Sequence, residues 1–198
     1  MLPVQDAFVR HPGAYSRHSK ANVGPMITRA RKFTILTITL ILCVGCDQTT
    51  KYTAKELLSP DSIVRLFDDT IRLQYTQNKG GLLSLGASLP EETRFWIFVV
   101  LVSLALALML FYLVSSRTLT LLPAIALSLV LAGGTSNLID RLVYKGAVVD
   151  FMNVGIGGLR TGVFNVADVA IVAGAGLLVV FALLEGRSNQ LPPKPGFE

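Results

Sequence analysis

Two aspartates sit where an ionised side chain is costly. Asp168 lies near the start of the apolar run Val163 to Leu184 with no basic residue close in sequence, and Asp150 lies in the stretch Ala147-Val148-Val149-Asp150-Phe151. An ionisable group at membrane depth needs a partner or a proton, and it usually marks function. Two carboxylates that meet in a low-dielectric pocket cannot both ionise. One keeps a proton and serves as acid while the other acts as base on a water, the arrangement of an aspartic protease. Other polar groups gather at helical spacing: Asp47 with Lys51, Asn137 with Asp140 and Arg141, and Asn165 with Asp168. Such intervals of three and four residues put side chains on one helix face. Plainer readings stand beside these. Asp47 and Lys51 can form an interfacial ion pair. Asn137 to Arg141 can cap a helix, with Arg141 snorkelling to the membrane edge. Spacing permits Asp150 and Asp168 to meet without requiring it.

The elements that would carry these residues are apolar helices. Phe33 to Cys46 is too short to span alone, but a helix from about Thr28 to Lys51 would suffice at about 1.5 Å per residue. Phe95 to Val114 has no charge, Thr118 to Ile139 holds Pro123 near its start and Gly133-Gly134-Thr135-Ser136 near its end, and Val163 to Leu184 contains Gly174 and Gly176. Small residues there let neighbouring helices approach closely. The notable polar residues fall at one end of these spans. Between the first two spans, Ile71 to Tyr75 alternates apolar and polar residues, the period of a half-buried strand. Asn78-Lys79-Gly80-Gly81 is turn chemistry, and Leu82-Leu83-Ser84-Leu85 is expected to return as a second strand. The fold class that follows is an all-α membrane protein of four spans with a small outer β-sheet at about residues 62–88.

Composition agrees. Of 198 residues, 52% are hydrophobic and only 16% charged, below the roughly one quarter usual in soluble domains. The net charge of +5 does not read as a nucleic-acid patch, because six of the 18 Lys and Arg (Arg10, Arg17, Lys20, Arg29, Arg31, Lys32) precede the first apolar run. That placement sets topology. The segment from Asp47 to Arg94 carries six basic and seven acidic residues, without positive bias, so both termini are expected in the cytoplasm and residues 47–92 and 140–162 outside. Residues 1–27 are polar with no apolar period and read as a disordered tail, residues 28–185 as the membrane domain and 186–198 as a second tail. Met26, followed by Thr28-Arg29-Ala30-Arg31-Lys32, would itself serve as a start. Cys43 and Cys46 lack the further ligands that zinc would need and the context of a redox pair, and read as small apolar residues.

Taken together the motifs resemble the lipoprotein signal peptidase (signal peptidase II) family. Asp47-Gln48-Thr49-Thr50-Lys51 resembles its DQxTK segment, and Asn78-Lys79-Gly80 the start of NxGAAF. Asn137-Leu138-Ile139-Asp140-Arg141 with Gly146 and Val148-Val149-Asp150-Phe151 resembles GNLIDR…GxVVDF, and Phe164 to Ile171 resembles FNxADxxI. Each motif alone is weak; four in order, over about residues 29 to 185, are specific. The resemblance implies an intramembrane aspartic endopeptidase that cleaves prolipoproteins before a cysteine carrying diacylglyceryl, at the outer face of the bacterial inner membrane. Its catalytic pair falls on Asp150 and Asp168. Asp47, Lys51, Asn78, Gly80, Gly133, Asn137, Asp140, Arg141, Asn165 and Ala167 would support the pair or bind substrate. No metal or cofactor is implied; the partners would be lipid-modified substrate and membrane lipid, with no nucleic acid, and the chain is expected to be a monomer. Ser136, Gly81-Leu82-Leu83 and Thr161 depart from the family pattern.

Two rivals explain less. A carrier would hold its carboxylates near the bilayer midplane, often in repeated halves, and no repeat is visible. A lipoprotein precursor ending at Val44-Gly45-Cys46 has cysteine rather than leucine three residues before the acceptor, and three more spans follow it.

Overall fold

In hydrocarbon each backbone N–H and C=O must be satisfied within its own segment, so apolar runs of this length become helices. The computed structural model, which describes residues 25–59, 62–81 and 84–188, holds four of them. They are α1 (Arg29–Leu57), α2 (Glu91–Ser115), α3 (Leu121–Val143) and α4 (Val166–Ser188). Thr28 caps α1 by accepting the Arg31 N–H at 3.3 Å, and Pro123 sits in the first turn of α3, where its missing N–H costs no bond. Within α2, Trp96–Leu101 is a π-helical stretch that contains Phe98.

Helix α3 is the inner one and touches the other three. Its buried Ala124, Ala126, Ala132, Gly133 and Gly134 keep neighbours close. A Cβ on Gly133 would run into the Ala167 carbonyl and the Ile171 side chain of α4. The outer faces of the other helices present exposed Ile38, Ile41, Leu108, Phe111, Val172 and Leu183, an apolar surface suited to lipid.

The helices differ from the apolar runs in a consistent way. Helix α1 continues past Lys51 to Leu57, and α3 continues past Ile139 to Val143. Asp140 and Arg141 therefore lie inside a helix and do not cap one. Of the expected first tail, residues 1–24 lie outside the described residues, whereas Met26 bridges Thr120 and the Ile27 N–H donates to the Leu119 carbonyl at 3.0 Å. The Ile27 side chain joins an apolar core with Leu36, Leu113, Leu119 and Leu127. Of the expected second tail, residues 186–188 belong to α4, which runs to Ser188, and residues 189–198 lie outside the described residues.

Four antiparallel strands make the sheet, in the order β1 (Val64–Leu66), β2 (Ile71–Asn78), β3 (Val148–Ile156) and β4 (Leu159–Arg160). The alternation at Ile71 to Tyr75 does form a strand, whereas the described part of its expected partner, Ser84 and Leu85, does not. Ser84 and Leu85 fold into turns, with Ser84 at φ +60° and the Gly81 N–H bonded to the Leu85 carbonyl at 2.8 Å, and residues 82–83 lie outside the described residues. Both edges of β2 are taken by β1 and β3, which leaves no place for a strand there. A bulge between Leu73 and Thr76 sets Thr76 opposite Asp150. At the turn before β2, Asp69 takes a bidentate bond from Arg72 (2.7 and 2.5 Å), and that bond holds its carboxyl down at about 2.

Candidate active site

The first link in the site is backbone. Phe164, just before α4, pairs with Met152 of β3 through two bonds, 2.8 and 2.9 Å, so the start of α4 is clamped beside Asp150. Asn165 then caps α4: its Oδ1 accepts the Asp168 N–H at 2.9 Å, and Asp168 Oδ2 accepts the Asn165 N–H at 3.3 Å. This reciprocal capping fixes the Asp168 carboxylate at the top of the helix.

Three asparagines then hold the two carboxylates. Asp150 Oδ2 accepts from Asn78 Nδ2 at 2.9 Å and Oδ1 from Asn165 Nδ2 at 2.6 Å, while Asp168 Oδ1 accepts from Asn137 Nδ2 at 2.9 Å. One asparagine bond per oxygen still leaves lone pairs for a proton or a water. Asp150 is fully buried and Asp168 half-buried, and both face one cavity of about 270 Å³. Burial pushes the Asp150 carboxyl up to about 6, and the Asp168 charge acts in the same direction, against the bonds from Asn78 and Asn165 and the Lys51 ammonium.

That value gives a measurable slope. The folded protein holds the Asp150 proton more tightly than an unfolded chain, whose ordinary value is 3.8. The associated stability is present below about pH 4 and is lost as pH rises through about 6. The melting temperature of the unaltered protein minus that of Asp150→Asn should fall across this window and level off above it. A difference that rises with pH would contradict the assignment.

Beneath the pair lies a second, fully buried cluster. Lys51 Nζ reaches Asp47 Oδ2 at 2.6 Å, Asp140 Oδ2 at 2.9 Å and Asn137 Oδ1 at 2.9 Å. Each acid also holds a different element. Asp47 Oδ1 accepts the Ala167 N–H of α4 at 2.8 Å, and Asp140 Oδ2 accepts the Val149 N–H of β3 at 3.0 Å. The interfacial-pair reading of Asp47 and Lys51 is therefore replaced by a buried three-charge cluster, both residues being under 5% exposed. Asp140 is joined to Lys51 and β3 rather than to Arg141.

Arg141 forms a wall of the cavity instead. Its Nη2 donates to the Gly80 carbonyl at 2.9 Å, its guanidinium stacks 5.4 Å from the Phe98 ring centre, and its buried Nε has no partner among the described residues. Gly80 must be glycine, since a Cβ would lie 2.5 Å from the Leu85 carbonyl oxygen. The residues expected to support the pair or bind substrate are thus in this cluster or packed on it. Sequence reasoning missed Gln48 and Phe98, and it read Ser136 only as a departure. Ser136 Oγ donates to Asp47 Oδ2 at 2.7 Å, and Gln48 Nε2 donates to both Ser136 Oγ and Asp140 Oδ1 at 2.9 Å. Gln48 lies between Asp47 and Lys51, the one signal that marked it.

Fold and site together define a four-span membrane protein with a polar, carboxylate-rich cavity at one end of its helices. Comparison with known proteins narrows this class. A solved structure described as a bacterial membrane enzyme superposes with a TM-score of 0.68 over 87% of this chain and 98% of its own, at 24% identity, which speaks to the fold. A second, similarly described, gives 0.64 at 23% identity. The family model described as signal peptidase (SPase) II matches residues 39–184. The lipoprotein signal peptidase of Syntrophus aciditrophicus is 38% identical over 72% of this chain and 88% of its own length. That of Clostridioides difficile is 31% identical over 76% and 96%. The chain belongs to the signal peptidase II family, and it is a multi-pass membrane protease.

Proposed function

We propose that this protein removes signal peptides from prolipoproteins, cutting before a diacylglyceryl-modified cysteine with Asp150 and Asp168 as its catalytic pair. The observation that carries this reading is the pair itself: two carboxylates from different elements, each held by asparagine amides, lining one cavity. One carboxylate takes a proton from a water as the water oxygen adds to the scissile carbonyl carbon, while its protonated partner donates to the carbonyl oxygen. The adduct then collapses, the C–N bond breaks, and the amine of the lipidated cysteine leaves with a proton. Asn78, Asn137 and Asn165 orient the pair; Asp47, Lys51, Asp140 and the backbone of Ala167 and Gly133 hold α1, α3, α4 and β3 in register. Arg141 and Gly80 form the substrate-facing wall. All of these groups come from one chain, which fits a working monomer, and the reaction as written uses no metal or cofactor.

Position favours a protease over a carrier. Asp47 lies late in α1, Asp140 late in α3 and Asp168 in the first turn of α4, so the carboxylates gather at one end rather than in the middle of the spans. A diacylglyceryl anchor would deliver the scissile bond to that level and supply positioning. Purified enzyme in detergent should release a product beginning with the lipidated cysteine and should cleave the unmodified precursor at least roughly tenfold more slowly. Equal rates on both precursors would rule out the lipid requirement, and no cleavage of either would rule out the reaction.

Both chain ends are assigned to the cytoplasm. Arg29, Arg31, Lys32 and Arg117 lie at the end of the bundle away from the dyad, as basic residues on the inner side do. Cysteines introduced at 65 and 77 should react with an impermeant reagent from outside, and labelling only from the cytoplasm would reverse this topology.

A further inference from the structure

At the end of the bundle away from the dyad, the start of α1 and the link between α2 and α3 enclose a cavity of about 360 Å³. Ile27, Arg29, Lys32, Ser115, Ser116 and Arg117 line it, with no carboxylate among them. Lys32 is the informative member. It is only 4% exposed, yet its ammonium bonds only to carbonyl oxygens, those of Leu113 at 3.2 Å and of Ser116. Among the described residues no Asp or Glu pairs with it. The contrast with Lys51, equally buried but flanked by two carboxylates, is direct. A buried ammonium without a counter-charge is costly, and carbonyls at a helix end offset only part of that cost. The two carbonyls occupy two of its three donors, so one N–H remains. Arg29 and Arg117 are exposed and add two more cations at the cavity.

Depth identifies the kind of anion. Lys32 and Lys51 lie on one helix about 28 Å apart at 1.5 Å per residue, close to the roughly 30 Å of a bilayer's hydrocarbon. With the dyad at one headgroup level, this cavity stands at the other. The adjoining surface of α2 presents exposed Leu104, Leu108 and Phe111, along which acyl chains can lie.

We propose that this cavity binds the phosphate of an anionic phospholipid in the leaflet opposite the dyad, with Arg29 and Arg117 on the phosphate oxygens and Lys32 as the counter-charge beneath. Basic pockets between spans suit such headgroups. The full chain in neutral detergent would be titrated with phosphatidylglycerol, with phosphatidylcholine of the same acyl chains, and with inorganic phosphate, and read by native mass spectrometry and thermal melting. Phosphatidylglycerol should be retained roughly tenfold better than phosphatidylcholine and should raise the melting temperature. The preference should collapse in the double variant Arg29→Gln/Arg117→Gln, while that variant cleaves lipidated precursor at the unaltered rate. Equal retention of the two lipids, or a preference that survives in the double variant, would overturn the proposal. So would equal stabilisation by inorganic phosphate, which would make this a small-anion site. A preference that appears only after residues 1–24 are removed would assign the cavity to the chain's own end and would also overturn it.

Discussion

Asp150→Asn and Asp168→Asn will each lower cleavage of a lipidated precursor by at least about a thousandfold, and the double variant will be scarcely worse than either alone. The first expectation comes from chemistry. An amide keeps the size of the side chain but can neither take a proton from water nor carry the pair's shared charge. The second comes from the pair acting as a unit, whose single losses do not add. Both variants should remain folded, because the clamp of β3 on Phe164 is backbone and the cluster around Lys51 is untouched. Melting curves recorded beside the gel-shift assay separate the two effects. Near-normal turnover by either folded variant would end the assignment of the pair.

Lys51→Met should cost stability more than any other single change in the site. Removing the ammonium leaves Asp47 and Asp140 buried, both at most 1% exposed, with no opposite charge in contact among the described residues. Breaking a buried cluster from one side costs about 3–5 kcal/mol. The effect should appear as a much lower melting temperature and little folded protein. Adding Asp140→Asn should restore part of the loss, since one orphaned charge is then removed. A Lys51→Met protein as stable as the unaltered one would show that the three charges do not hold the fold.

How much of this the sequence discloses depends on the range of each interaction. Asp150 and Asp168 stand out because an acid in an apolar stretch is costly wherever the chain goes. The four spans stand out because hydropathy is local. Asp47 and Lys51 show a partnership at i, i+4, but the third member, Asp140, comes from another helix, so its pairing with Lys51 carries no local mark. Val148 to Ile156 reads as an apolar connection and becomes the strand beside Ile71 to Asn78, a pairing that bridges two whole spans. Leu82 to Leu85 has strand composition, yet its described residues Ser84 and Leu85 fold into turns, and β2 already has both neighbours. The bonds of Gln48 and Ser136 to the two acids are not legible, since a neutral polar residue in a helix has many ordinary explanations. Asn165 and Asp168 did carry a signal, the N-x-x-D spacing of a helix start, though it was legible only as two residues on one face.

The bond from Asp47 to the Ala167 N–H joins the first span to the last. Chains emerge from the ribosome N-terminus first, and early segments settle before late ones exist. Until α4 is made, Asp47 has no amide to hold, Asp168 does not exist, and Asp150 lacks the Asn165 amide. A nascent chain with three inserted spans therefore carries most of the site's polar residues but only one of the two aspartates, Asp150. On the proposed mechanism, completion of synthesis is the step that switches it on, and a product truncated before α4 would be inert.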